Sequence, residues 1–140
     1  MVVMGAQGKK IDIIYGENTI LKLINEEGEL LDNAIMDDET ATLFITLLNQ
    51  GVVLSEEINR KYKKDGIRLH KIQDVGTCFA DDCRVSIAIL PADEKRTASI
   101  LIGIHKENTH NALIVKPKRA SFISFTVLRM LLDNAKTDLE

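Results

Sequence analysis

The spacing of apolar residues changes along this chain, and that change limits the folds open to it. Lys10 to Tyr15 alternates weakly through Ile11 and Ile13 and ends at Gly16, which predicts a short strand. Thr19–Asn25 and Leu30–Met36 flank Glu26-Glu27-Gly28-Glu29, so a hairpin about Gly28 is expected. The period then lengthens. Asp37-Asp38-Glu39 precedes Ala41, Leu43, Phe44, Leu47 and Leu48, and acids ahead of a 3.6-period apolar face oppose the positive end of a helix dipole. Asn49-Gln50-Gly51 predicts the end of that helix. Ser55-Glu56-Glu57-Ile58 predicts a second one, capped by Ser55, running to about Lys64 and ending at Asp65-Gly66.

Beyond Gly66 the pattern returns to strands. Ile67, Leu69 and Ile72 mark one, Arg84–Leu90 a second, Thr97–His105 a third and Ala112–Val115 a fourth, with Pro91–Arg96 as a polar turn. Ala120–Lys136 carries Phe122, Ile123, Phe125, Val127, Leu128, Leu131 and Leu132 at helical spacing, with Pro117 expected in the loop before it. Phenylalanines on such a face are ordinarily core. The expected order is β-β-β-α-α-β-β-β-β-α. Strands in runs with helices set apart argue an α+β fold with a mainly antiparallel sheet. The expectation is a single domain, 1–140, with an internal echo between 10–50 and 67–136. Asn33-Ala34-Ile35-Met36 leads into Leu43-Phe44 and Leu47-Leu48-Asn49, and Asn111-Ala112-Leu113-Ile114 leads into Val127-Leu128 and Leu131-Leu132-Asp133.

Composition narrows the class. At 140 residues, 45% hydrophobic and 28% charged, the chain can bury one core and is not of the disordered type. Val2-Val3-Met4 is too short for a signal-peptide core, and no apolar run approaches a membrane span. Two cysteines, Cys78 and Cys83, make no disulfide framework, so the expected setting is intracellular, cytoplasmic by default, with reduced thiols.

The net charge of −3 excludes a uniformly basic protein but hides an asymmetry. Residues 1–59 hold three cations and eleven acids, a balance of −8, and residues 60–140 hold fifteen cations and ten acids, a balance of +5. Arg60, Lys61, Lys63, Lys64, Arg68 and Lys71 face only Asp65 within their stretch, and Lys116, Lys118 and Arg119 precede the last helix. Cations at Arg60–Lys64 also suit the negative end of a helix dipole, which is a purely structural account of them. Both groups border strands, however. A strand face with cations and aromatics can follow a single-stranded backbone. The expected function is therefore non-catalytic binding of single-stranded nucleic acid through these nine residues, by phosphate contacts more than stacking. An alternative is a protein-interaction or regulatory module, a homodimer whose acidic and basic faces pair.

Cys78 and Cys83 are separated by four residues, as are His105 and His110. Strands pairing about a centre near residue 94 would set Cys83 opposite His105 and Cys78 opposite His110. Four N and S ligands would then converge, the set that structural zinc takes. Two reduced cysteines and two loop-edge histidines is the simpler account; Asp81 and Asp82 are alternative oxygen ligands or turn residues.

No catalytic residue is assigned. The chain has no G-x-G-x-x-G, H-E-x-x-H or G-x-S-x-G and no phosphate loop of the G-x-x-x-x-G-K kind, and the deaminase pattern fails because Cys78 and Cys83 are not two residues apart. An enzyme or ligand-binding domain whose site is not legible in the sequence remains a third reading.

A strand, a short turn and an amphipathic helix occur twice, at Ala34-Ile35-Met36-Asp37-Asp38-Glu39 through Leu48 and at Leu113-Ile114-Val115 through Leu132. This unit resembles the strand-to-helix unit of the Whirly and positive-cofactor-four type of single-stranded DNA-binding proteins, over two stretches of about twenty residues each. The resemblance implies sheets that present cations to single strands, in a dimer or larger assembly. The Whirly-type lysine-and-glycine-rich strand is not visible here. The helix expected at Ser55–Lys64 and the acidic first half also depart from that pattern, and no family residue is carried over.

Overall fold

The computed structural model describes residues 1–67, 69–92 and 96–139. Two four-stranded antiparallel meanders, each followed by a helix, make up the chain. The first comprises β1 (Val2–Met4), β2 (Lys10–Tyr15), β3 (Thr19–Ile24) and β4 (Leu30–Met36), with a 3-10 turn at Ala6–Gly8, and leads into α1 (Asp38–Asp65). The second comprises β5 (Gln73–Phe79), β6 (Arg84–Leu90), β7 (Ser99–His105) and β8 (His110–Val115) and leads into α2 (Pro117–Leu139). Strands lie beside their sequence neighbours throughout, as short connections between antiparallel strands dictate. The class is α+β, as the strand runs argued.

The order is four strands, a helix, four strands and a helix, and four expectations change. Asn49-Gln50-Gly51 does not end a helix; α1 is one 28-residue helix through Gly51 to Asp65. Gly51 is buried in it, and a Cβ there would lie 3.2 Å from Ile87 Cγ2 and 3.4 Å from Ile100 Cδ1. The glycine lets α1 approach the second sheet closely; it is a packing residue, not a stop. The true stop is Gly66, in the left-handed region at φ 69° and donating its N–H to Tyr62 O. Ile67, Leu69 and Ile72 lie outside any strand, and β5 starts at Gln73. Pro117 is the first residue of α2, where a missing N–H costs no intrahelical bond. The short run Val2–Met4 is a strand, paired to β2. Arg68 and the Asp93-Glu94-Lys95 part of the expected turn lie outside the described residues.

One contiguous core joins both halves. Alternate residues point inward: Ile11, Ile13, Leu21, Leu23, Ala34 and Met36 from the first sheet, and Val85, Ile87, Ile89, Ile100, Ile102, Ile104, Leu113 and Val115 from the second. Phe44, Leu47, Leu48 and Val52 of α1 and Ile123 and Val127 of α2 complete it. α1 is capped by Asp37, whose carboxylate accepts from Thr40 N–H at 2.8 Å; that bond holds its pKa below the usual value. No helix among the described residues is long and apolar enough to cross a membrane.

Candidate functional site

Four of the nine expected nucleic-acid contacts, Arg60, Lys61, Lys63 and Lys64, lie on the exposed last turns of α1. Lys61 forms an i,i+4 pair with Glu57 at 3.6 Å. Lys71 is exposed between α1 and β5, and Arg68 is outside the described residues. Lys116, Lys118 and Arg119 are exposed where β8 passes into α2.

Tertiary packing brings the α1 turn before Arg60 to the segment that lines one side of a groove. Asn59, next to Arg60, accepts from Ala98 N–H through Oδ1 at 2.7 Å and donates from Nδ2 to Ala98 O at 3.4 Å. Thr97 and Ser99, on either side of Ala98, line a groove of about 380 Å³ together with Arg96, Lys116 and Arg119. Met4, Gly5 and Ala6 also line it, and Arg119 donates to Met4 O at 2.6 Å. Three cations from two separated segments therefore share one concavity, which focuses positive potential on a bound anion. Arg96 belongs to this set although the sequence marks it only as part of a polar turn; no local pattern distinguishes it.

A second, more apolar groove of about 650 Å³ adjoins the first. It shares Met4 and Arg119 and adds Lys118, Phe122 and Phe125. Phe122 is 47% exposed and Phe125 59% exposed, which overturns their reading as core. α2 buries Ile123 and Val127 instead, and these lie on the other side of the helix.

The Cys and His set is not brought together. The observed register pairs Arg84 with His105 and His105 with His110, one residue away from the pairing expected. A one-residue slip moves side chains to the opposite face. Cys78 pairs with Val85 and is buried on the core side, as is Cys83, whereas His105 and His110 stand on the outer face. Burial pushes the Cys78 thiol up to about 11, and burial, then the Asp82 charge, raises Cys83. Both cysteines are free thiols. Among the described residues no group of three or more His, Cys, Asp or Glu could hold a metal ion. Asp82 pairs instead with Lys106 at 3.4 Å, and Lys106 reaches Asp32 at 3.0 Å.

The outer face of the second sheet holds a constellation that the sequence did not disclose. His105 Nε2 lies 2.7 Å from Ser86 Oγ, and His105 Nδ1 lies 2.9 Å from His110 Nδ1. The three residues come from three adjacent strands, so only the ladder register aligns them. No protein-family model matches this chain, and no curated protein matches it.

Proposed function

We propose that the protein binds single-stranded nucleic acid without catalysis, inside the cell, at the double groove where β8 meets α2. One observation carries this reading: Arg96, Lys116 and Arg119 converge in a concavity whose neighbour exposes Phe122 and Phe125. Cations that track phosphates beside aromatics that stack bases are what a single strand requires. The Asn59–Ala98 bonds support it, because they bring the basic end of α1 to the same segment. The continuous α1 also removes the extra helix that departed from the Whirly-type pattern.

Fluorescence anisotropy of a labelled oligonucleotide at several salt concentrations tests the proposal. Four phosphate contacts, from Arg96, Lys116, Lys118 and Arg119, give a log–log salt slope of about −3 for a single strand. The variant Lys116→Gln/Lys118→Gln lowers the slope by about 1.4. Absence of binding at low salt, or equal affinity for duplex, overturns the reading.

A second reading, a homodimeric interaction module, is favoured by a stripe on α2. Phe122, Phe125, Leu128 and Leu132 are all exposed on one side of the helix. A second copy packing along that stripe would cover it, and light scattering would give a dimer that Phe125→Glu splits. This stripe, rather than opposed acidic and basic faces, is what favours self-association.

A further inference from the structure

The outer face of the second sheet is built in rows. One row is Phe79, Arg84, His105 and His110; the next is Thr77, Ser86, Gly103 and Ala112; a third includes Ala88, Leu101 and Ile114. Side chains two residues apart on a strand share a face, so His105 and Gly103 are neighbours along β7. The imidazole of His105 lies over Gly103 and reaches Ser86 directly across the ladder. A Cβ on Gly103 would stand 2.6 Å from both His105 Nε2 and Ser86 Oγ. The hydrogen bond thus exists only because residue 103 is glycine.

The three polar groups form a chain with one proton direction suited to chemistry. With His105 protonated on Nδ1, Ser86 O–H donates to Nε2 and Nδ1–H donates to His110 Nδ1 at the distances given above. Burial, then the charge of Arg84 and then His110, hold the His105 pKa below its usual value, so its ring is free to accept at neutral pH. Nucleophile, base and orienting group are then in hydrogen-bond reach in the order that acyl transfer needs. Beside Ser86, Gly103 is covered by the His105 ring and Ala112 is half-buried, and Leu101 and Ile114 offer a half-buried apolar strip.

We propose that Ser86 is an activated nucleophile toward apolar acyl esters, with His105 as its general base and His110 as the positioning residue. Ser86 Oγ attacks the ester carbonyl carbon as its proton passes to His105 Nε2. The adduct expels the alcohol, which leaves with that proton, and the acyl group stays on Ser86. Water then attacks the acyl-serine, His105 takes its proton and returns one to Ser86 Oγ, and the free acid departs. The acyl chain lies along Leu101 and Ile114, and Arg84, the cross-strand partner of His105, supplies positive charge near the developing oxyanion. The site shares only Ile114 with the basic groove.

The test is hydrolysis of p-nitrophenyl butyrate by the whole protein, with mass analysis of the trapped acyl adduct. The expected adduct is on Ser86. Ser86→Ala and His105→Gln each lower the rate by about 100-fold. Gly103→Ala lowers it similarly, because its Cβ parts the serine from the histidine. His110→Phe lowers it by about tenfold, whereas His110→Asp, which puts an acceptor oxygen where Nδ1 stood, restores it. Thermal unfolding of each variant separates lost chemistry from lost fold, and Ser86→Ala, at a half-buried surface position, keeps the fold. An adduct elsewhere, or a Ser86→Ala rate equal to wild type, overturns the proposal. Equal rates for His110→Phe and His110→Asp overturn the role given to His110.

Discussion

Replacing Lys106 by Met isolates the ion pair that ties the two sheets together. Asp32, on β4, has a side chain only 5% exposed, and Lys106 Nζ lies 3.0 Å from its Oδ1, just past the end of β7. Lys106 also reaches Asp82 Oδ2 at 3.4 Å and Asn33 Oδ1 at 3.3 Å. Burial alone would raise the Asp32 pKa, but the hydrogen bond from Lys106, the Asn33 N–H and the Lys106 charge together hold it below 3.8. Removing the ammonium strands a buried carboxylate, which costs ~3–5 kcal/mol in comparable pairs. The low end applies here, because Asn33 N–H at 2.9 Å and Thr109 Oγ1 at 3.3 Å still donate to Asp32. About 3 kcal/mol corresponds to a fall in Tm of about 10 °C for a chain of this size. Urea unfolding at pH 7 measures the loss directly. The double variant Asp32→Asn/Lys106→Met strands no charge and should return to within about 1 kcal/mol of wild type. Because the folded pKa of Asp32 is depressed, its contribution is present above the unfolded value of 3.8 and is lost as pH falls through the folded one. Lys106→Met should therefore lose less stability in acid than at pH 7. A loss under about 1 kcal/mol, or a double variant as unstable as the single one, would show that the pair does not hold the sheets.

Three further outcomes follow from named contacts. With its thiol moved from 9.0 to about 11, Cys78 carries roughly 100-fold less thiolate than an ordinary cysteine. Maleimide at pH 7.5 should leave it unlabelled in the native protein and label both thiols in urea; rapid native labelling of Cys78 would contradict its burial. Gly51→Leu should cost about 1–3 kcal/mol by urea unfolding, since its side chain meets Ile87 and Ile100 at the position where even a Cβ is within 3.4 Å. Gly51→Ala should be within about 1 kcal/mol of wild type, because helix propensity offsets the tight contact. Asn59→Leu strips both bonds from Ala98 and should weaken oligonucleotide binding with little change in the α1 helix by circular dichroism; unchanged affinity would detach the α1 end from the groove.

The sequence by itself determined part of the local structure. Alternation in Lys10–Tyr15 and Arg84–Leu90 marks two strands at their observed ends, because period-2 burial needs no knowledge of partners. Asp37-Asp38-Glu39 marks the start of α1 for an equally local reason, a carboxylate capping free N–H groups. Charge asymmetry, too, is a property of composition. Tertiary structure decided what depends on distant residues. Whether Gly51 stops a helix or lets it pack against Ile87 turns on the sheet it meets. Phe122 and Phe125 are exposed because Ile123 and Val127 on the other side of the helix are the ones that meet the core. Cys78 and Cys83 part from His105 and His110 through a single-residue register, and that same register aligns Ser86 with His105. Strand pairing is a contact between residues far apart in sequence, and one step of slip exchanges the two faces of a sheet. Local patterns therefore name most of the strands, while the ladder selects which side chains meet.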